Sequence, residues 1–349
     1  KRSDITEEEI KEVVEKMTGI PLTEKINQSD FEKLLNLETE LKKRVIGQDH
    51  ALSSVARDVR RARSGIRDPR HPLASFLFMG PTGVGKTELV KALAETVFGD
   101  ETALVQVDMS EYMEAHDISK LIGAPPGYVG YDEPSILEQV RRKKYCVFLM
   151  DEIEKADPKI FNILLGIMEE GGIRDGTGRW IDFTNVIVVM TSNVGGSTVS
   201  EGASVGFSTS KDTKEKQVDD QYFMAAKNLF RPEFLNRLDE QIVFNQLSDE
   251  VLKLILQKEI GLLEKRLESL GYEIAFKPEV LSLLAKAGYS PAYGARPLKR
   301  AIQRLIEDEL ANLLIANDYP KGTKFYVSVS DKKLIFKAGL PPAQIRKVA

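Results

Sequence analysis

A single cysteine, Cys146, leaves no second thiol for an intramolecular disulfide in a chain of 349 residues. With only three histidines beside it there is little material for a dedicated zinc site. Positive charge is not in excess either. Forty-nine Lys and Arg face 53 Asp and Glu, a formal net charge of −4, so no global field draws nucleic acid or anionic lipid. No apolar run approaches the ~18 residues that a membrane helix requires, and the stretch from Lys1 to Glu9 lacks the apolar core of a signal peptide. These absences exclude membrane, secreted, collagenous and disulfide-scaffold classes, and the expected setting is a reducing cytoplasm.

What remains is a chain with 42% apolar and 29% charged residues, long enough for roughly two compact units at about 150 residues each. The first ~45 residues are charge-rich. Thr6-Glu7-Glu8-Glu9 has the hydroxyl-then-acid pattern of a helix start, and Pro21 ends that helix. Phe31, Leu34, Leu35, Leu41 and Val45 then predict a second amphipathic helix that packs onto something else. From Ser75 to Phe244, short apolar runs alternate with helical stretches: Ser75 to Met79, Leu104 to Val107, Cys146 to Met150, Val186 to Met190 and Ile242 to Phe244. Runs of this kind mark strands buried on both faces of a mostly parallel sheet, which gives an α/β layer fold. The polar, small-residue stretch from Gly195 to Gln221 predicts a long mobile loop. Beyond Asp249, helices from Val251 to about Leu270 and from Pro297 to about Ile315 are expected. Strands at Tyr272 to Phe276, Phe325 to Val329 and Leu334 to Phe336 complete a smaller α+β unit.

Chemistry concentrates at a few places. Gly80-Pro81-Thr82-Gly83-Val84-Gly85-Lys86-Thr87 fits the phosphate-loop pattern and stands between an apolar strand and a helical stretch. Its glycines let backbone N–H groups converge on phosphate oxygens, Lys86 can reach the β and γ phosphates, and the Thr87 hydroxyl can ligate Mg²⁺. The strand Cys146 to Met150 delivers Asp151 and Glu152 to the carboxyl edge of the sheet, where Asp151 suits a Mg²⁺ site and Glu152 suits activation of a water. Val186 to Met190 runs into Thr191-Ser192-Asn193; taken alone, those residue types also suit a cap or turn. Arg231, Arg237 and Arg296 are candidates for an arginine that reaches a transferring phosphate, although spacing alone does not separate them from solvated surface. Tyr128 and Val129, held between Gly127 and Gly130 on a breaker-rich loop, mark either a contact site or a buried loop tyrosine.

In order along the chain, Thr18-Gly19-Ile20-Pro21, Val45-Ile46-Gly47-Gln48, the phosphate loop, Asp108-Met109-Ser110-Glu111-Tyr112, Gly123 to Gly130, Asp151-Glu152-Ile153-Glu154-Lys155-Ala156, Thr191-Ser192-Asn193, Arg231 to Asp239 and Gly294-Ala295-Arg296-Pro297 resemble the second ATPase module of the Clp/Hsp100 family of AAA+ protein unfoldases. The resemblance implies a linker over residues 1–44, a large α/β phosphate-loop ATPase subdomain over 45–246 and a small helical α+β lid over 247–349, with nucleotide between the last two. It implies that Lys86 and Thr87 form the Walker A pair, Asp151 and Glu152 the Walker B pair, Asn193 sensor 1, Arg296 sensor 2 and Arg237 an arginine finger offered to a neighbouring subunit. It places Val45 and Ile46 on the adenine side. Tyr128 becomes the pore-loop aromatic that grips a threaded polypeptide, with Val129 beside it, and Ile173, Arg174 and Asp175 belong to a second pore loop. Trp180 receives no role.

The cofactors implied are ATP or ADP and Mg²⁺. The implied partners are five further copies in a homo-hexamer, unfolded or tagged polypeptides and adaptor proteins, with neither nucleic acid nor membrane among them. Val205-Gly206-Phe207 sits in a polar stretch whose flanks could not be buried with it. It resembles the tripeptide by which protease-linked relatives of the ClpC and ClpE types dock on the ClpP peptidase, whereas ClpB-type disaggregases generally lack it. Asp132-Glu133-Pro134 departs from the glycines common in relatives. The chain also starts inside what resembles the linker from a preceding module, so a fragment of a longer protein is expected. Two other readings are weaker: a holding module is disfavoured by intact Glu152, Asn193 and Arg237, and a nucleic-acid remodeller by the −4 balance.

Overall fold

A computed structural model describes residues 28–124, 127, 134–195, 211–288, 294–317, 319–330 and 333–339. Tyr128, Val129, Val205, Gly206 and Phe207 lie outside the described residues, as do Thr6 to Glu9 and Pro21. Two compact units emerge, one of residues up to Gly80 with Gly85–Asn245, the other of Pro81–Val84 with the residues from Gln246 onward.

The first unit is built on a parallel sheet of five strands: β1 (Ala74–Met79), β2 (Leu104–Asp108), β3 (Cys146–Asp151), β6 (Val186–Ser192) and β7 (Glu240–Val243). The order across the sheet is β2-β3-β6-β1-β7, with every neighbouring pair parallel. All of β1 and β6 and all but the last residue of β3 are buried, as strands covered on both faces must be. The edge strand β2 alternates buried and accessible positions instead. One separate antiparallel ribbon, β4 (Gly172–Arg174) with β5 (Trp180–Asp182), is absent from the sequence expectations.

Helices α1 (Gln28–Leu35), α2 (Leu37–Arg44) and α3 (Asp49–Arg63) precede the sheet, and α4 (Lys86–Phe98), α5 (Ile118–Ile122), α6 (Ile136–Lys143), α7 (Pro158–Glu170), α8 (Lys211–Leu229) and α9 (Pro232–Leu235) connect its strands. The single amphipathic helix expected through Phe31 and Val45 is therefore two helices. Asn36, at φ −90° and ψ 6°, separates them. Leu37, Leu41 and Val45 are buried, while Leu35 is 69% exposed. The loop expected as far as Gln221 is also corrected, since the chain is helical from Lys211; Tyr222, Ala226 and Phe230, spaced by four, bury the inward stripe of α8 and the residue beyond it.

In the second unit, α10 (Asp249–Ser269) begins at a Ser248 cap whose hydroxyl accepts from the Val251 N–H at 3.4 Å. Strand β8 (Glu273–Phe276), α11 (Pro278–Gly288), α12 (Arg296–Ile302), α13 (Asp308–Ala316), β9 (Lys324–Ser330) and β10 (Lys333–Gly339) follow. The helix expected from Pro297 to Ile315 runs through a π-type turn at Gln303–Glu307. The three strands form a sheet in the order β10-β9-β8, in which β9 and β10 are antiparallel and β8 and β9 parallel. Leu256, Ile260 and Leu263 of α10 pack with Leu284, Ile306 and Phe325 in its core. Among the described residues no helix is long and apolar enough to cross a membrane.

Candidate active site

Parallel pairing aligns the carboxyl ends of the strands in the first unit. Asp108 stands opposite Asp151, and Met79 stands opposite Ser192, so Gly80, Asp151, Glu152 and Asn193 all emerge at one edge, where open α/β sheets bind ligands. Gly80 leaves β1 at φ +145°, and a Cβ there would lie 2.6 Å from the Phe244 carbonyl oxygen. That close approach of two backbones admits only glycine. Gly85 opens α4 at φ +112° and places no side chain over its amino end, the end of a helix that favours an anion. Val45, the extended residue just after α2, closes this corner, its Cγ1 3.5 Å from where a Gly85 Cβ would be. Arg44 beside it pairs with Glu88 at 2.9 Å and also with Glu95, both on α4.

Lys86 is the first residue of α4 and is only 8% exposed. Its ammonium donates to the Gly80 carbonyl at 2.6 Å and to Asn193 Oδ1 at 2.8 Å. The Asn193 amide faces Glu152 Oε1 at 3.5 Å. Sensor and Walker candidates read from separate segments thus converge. Glu152 has φ +55° and ψ +49°; among the described residues only Lys144 shares a positive φ without being glycine. Its second carboxylate oxygen pairs with Lys155, whose pKa is raised chiefly by that hydrogen bond.

Asp151 accepts a hydrogen bond from the Thr191 hydroxyl. Thr87 and Asp151 bring a hydroxyl and a carboxylate, the hard oxygen donors that Mg²⁺ prefers, so the donor set fits that ion. Thr191, Glu154 and Lys155 stand inside two of the motifs quoted from the sequence, but none of them received a role of its own there.

Other candidates stand elsewhere. Arg237 lies just before β7, 52% exposed and paired with Glu169 at 2.7 Å. Arg296 opens α12 of the second unit and is exposed. Pro81, Thr82 and Gly83 are half-buried and Val84 is buried, as parts of that second unit. Asp175, expected in a second pore loop, is a buried residue of the turn between β4 and β5. Its carboxylate accepts from the N–H groups of Thr177 and Arg179 at 2.9 Å each. Trp180 covers Gly172, where a Cβ would come 2.6 Å from the ring, and Arg174 lies over it at 5.9 Å, so it pins the ribbon. Burial pushes the Cys146 thiol up to about 12, which fits a core position and not a reactive one.

A parallel sheet with a phosphate loop at the end of β1 and an acidic pair at the end of β3 defines a phosphate-loop ATPase. Residues 71–241 match the AAA domain (Cdc48 subfamily), and residues 247–327 match the C-terminal, D2-small domain, of ClpB protein. Chaperone protein ClpB 1 of Synechococcus elongatus is 45% identical over 345 residues, 99% of this chain and 39% of that protein. The ATP-dependent Clp protease ATP-binding subunit ClpC of Staphylococcus aureus is 49% identical over 333 residues, 95% of this chain and 41% of that protein. The chain belongs to the Clp/Hsp100 family of AAA ATPases and corresponds to the second ATPase module. It spans about two fifths of the length of these curated relatives.

Proposed function

We propose that the chain is the motor module of a cytoplasmic protein unfoldase, which couples ATP hydrolysis to the threading of polypeptide through a homo-hexameric ring. The observation that carries this is the contact of Lys86 with Asn193 and of Asn193 with Glu152 at the sheet edge where the phosphate loop begins. In this reading Lys86 and the amino end of α4 hold the phosphates, and Val45 and Ile46 border the adenine. Glu152 takes the proton of the attacking water, and Asn193 orients that water and the γ-phosphate. Thr87 and Asp151 would hold Mg²⁺, which supplies charge neutralisation on the phosphates when bound. Arg237 would complete a neighbour's site, and Arg296 would follow the nucleotide from the small subdomain. The domain boundaries that go with this are 1–44, 45–246 and 247–349.

Tyr128 and Val129 would grip substrate, which consists of unfolded or tagged polypeptides brought directly or by adaptors. Val205-Gly206-Phe207 would dock the ClpP peptidase. The apolar tripeptide within a polar stretch favours this over a ClpB-like disaggregase, while the similar identities to ClpC and ClpB favour neither.

The test uses the full-length protein. Glu152→Gln retains ATP binding while turnover falls by roughly 10²- to 10⁴-fold; near-normal hydrolysis would remove Glu152 from its role. Tyr128→Ala keeps nucleotide binding and stops unfolding of a tagged reporter. With ClpP present, Phe207→Ala loses degradation but keeps ATPase activity, whereas unchanged degradation would turn the reading to disaggregation.

A further inference from the structure

Strand β6 and the turn after β3 are tied by two hydrogen bonds that run in opposite directions. Pairing between β3 and β6 ends with Met150 opposite Met190, so the N–H of Glu152 lies beyond the ladder. It donates to Thr191 Oγ1 at 3.2 Å. From the other side, the N–H of Asn193 donates to Glu154 Oε1 at 3.1 Å. A side chain of each segment therefore satisfies a backbone donor of the other, in the manner of a reciprocal cap.

The Thr191 hydroxyl is used on both sides. Its one proton goes to Asp151 Oδ1 and a lone pair takes the Glu152 N–H. Thr191 is 1% exposed, its backbone is fixed opposite Phe78 of β1, and a β-branched side chain has few rotamers there. The residue it holds needs holding, because a left-handed conformation is costly for any residue with a Cβ and persists where surrounding contacts over-determine it. Glu154 adds a second cost. Its Oε2 is buried without a hydrogen-bond partner, an expense that leucine at the same place would avoid.

We infer that Thr191 and Glu154 are positioning residues of the hydrolytic site, which lock Glu152 in its left-handed turn and Asn193 at the end of β6. This rests on the reading of Glu152 and Asn193 as the hydrolytic pair, so its test has two arms. In the first, made in the full-length enzyme, Thr191→Val keeps the shape and removes the hydroxyl. It lowers kcat by roughly ten- to a hundredfold, as misplacement of a reacting group by a fraction of an ångström to an ångström does, with KM for ATP within about threefold. Thr191→Ser restores kcat. Glu154→Gln keeps a carbonyl acceptor and stays near wild type, whereas Glu154→Leu falls with the valine variant.

The second arm needs no nucleotide. Glycine adopts a positive φ freely, so only the wild-type background regains strain energy when the clamp is removed, and Thr191→Val shifts the unfolding equilibrium, followed by exposure of Cys146 on β3, about fivefold less there than with Glu152→Gly. Additive shifts overturn the inference. An unchanged kcat in Thr191→Val overturns it when Glu152→Gln has lost turnover, and overturns the underlying reading of the site when that variant also turns over normally.

Discussion

The ammonium of Lys86 and the side-chain carbonyl of Asn193 are hydrogen-bonded at 2.8 Å, although 107 residues separate them in sequence. The pair joins the loop that would hold phosphate to the strand end that would sense it, and the other end of the same amide reaches toward Glu152. Differential behaviour follows. Lys86→Ala abolishes nucleotide binding, because the charge that meets the phosphates is gone. Asn193→Ala retains binding but lowers kcat by about 10²-fold, the usual effect of losing one preorganised polar group from a reacting centre. Fluorescent-nucleotide titration with steady-state hydrolysis checks both, and a large loss of affinity in Asn193→Ala would contradict the division of roles.

Much of this site could be read before the fold was known, for a local reason. The phosphate loop is a continuous strand-turn-helix unit, and Cys146 to Met150 is apolar because β3 is covered on both faces. What escaped depends on neighbours in space. That Thr191 would serve Asp151 and Glu152 follows only from β6 lying beside β3. The break at Asn36 escaped because Leu35 and Leu37 each continue an apolar pattern, and packing alone decides which is buried. Helix α8 was hidden by the polar residues at its start, although the four-residue spacing of Val218, Tyr222 and Ala226 carried a helical signal.

Acid should weaken the base of α6 between about pH 4.5 and 2. Glu138 is held at about 2, well below its ordinary 4.5, first by hydrogen bonds from Arg141 and then by Arg142 and Arg179. A carboxylate with a lowered folded-state pKa binds fewer protons folded than unfolded. Its contribution is complete above about 4.5 and is lost as the pH falls toward about 2. The denaturation midpoint should therefore drop across that window, and Glu138→Gln should flatten part of the drop. An unchanged slope in Glu138→Gln would show that the arginine cluster does not act on folding.

Cys146 makes a probe of the sheet. A thiol pushed up to about 12 by burial carries about 10³-fold less thiolate near pH 8 than one at the ordinary value of ~8.5. Maleimide or a disulfide reagent should leave the native protein unlabelled over the time that denatured protein reacts fully. Rapid stoichiometric labelling under native conditions would mean that β3 opens far more readily than a strand buried on both faces should.

Arg237 stands at the wrong end of its own sheet to serve its own phosphate loop. Glu240 pairs with Phe76 and Val243 with Met79, so Arg237 precedes β7 while Gly80 follows β1, and the sheet carries them apart by about 13 Å from Phe76 to Gly80 alone. Its partner within the chain is the exposed Glu169, a surface pair that contributes little to stability. In the proposed ring, a contribution of Arg237 to hydrolysis is expected at another copy's site across a head-to-tail interface. Arg237→Ala should bind ATP normally and lose hydrolysis by at least about 10³-fold. Lys86→Ala should be inactive for the opposite reason. Mixed in the full-length protein, the two inactive variants should regain hydrolysis, because about a quarter of random head-to-tail interfaces join an intact loop to an intact arginine. A finger acting within its own chain predicts no recovery at any ratio, and that result would end the shared-site reading.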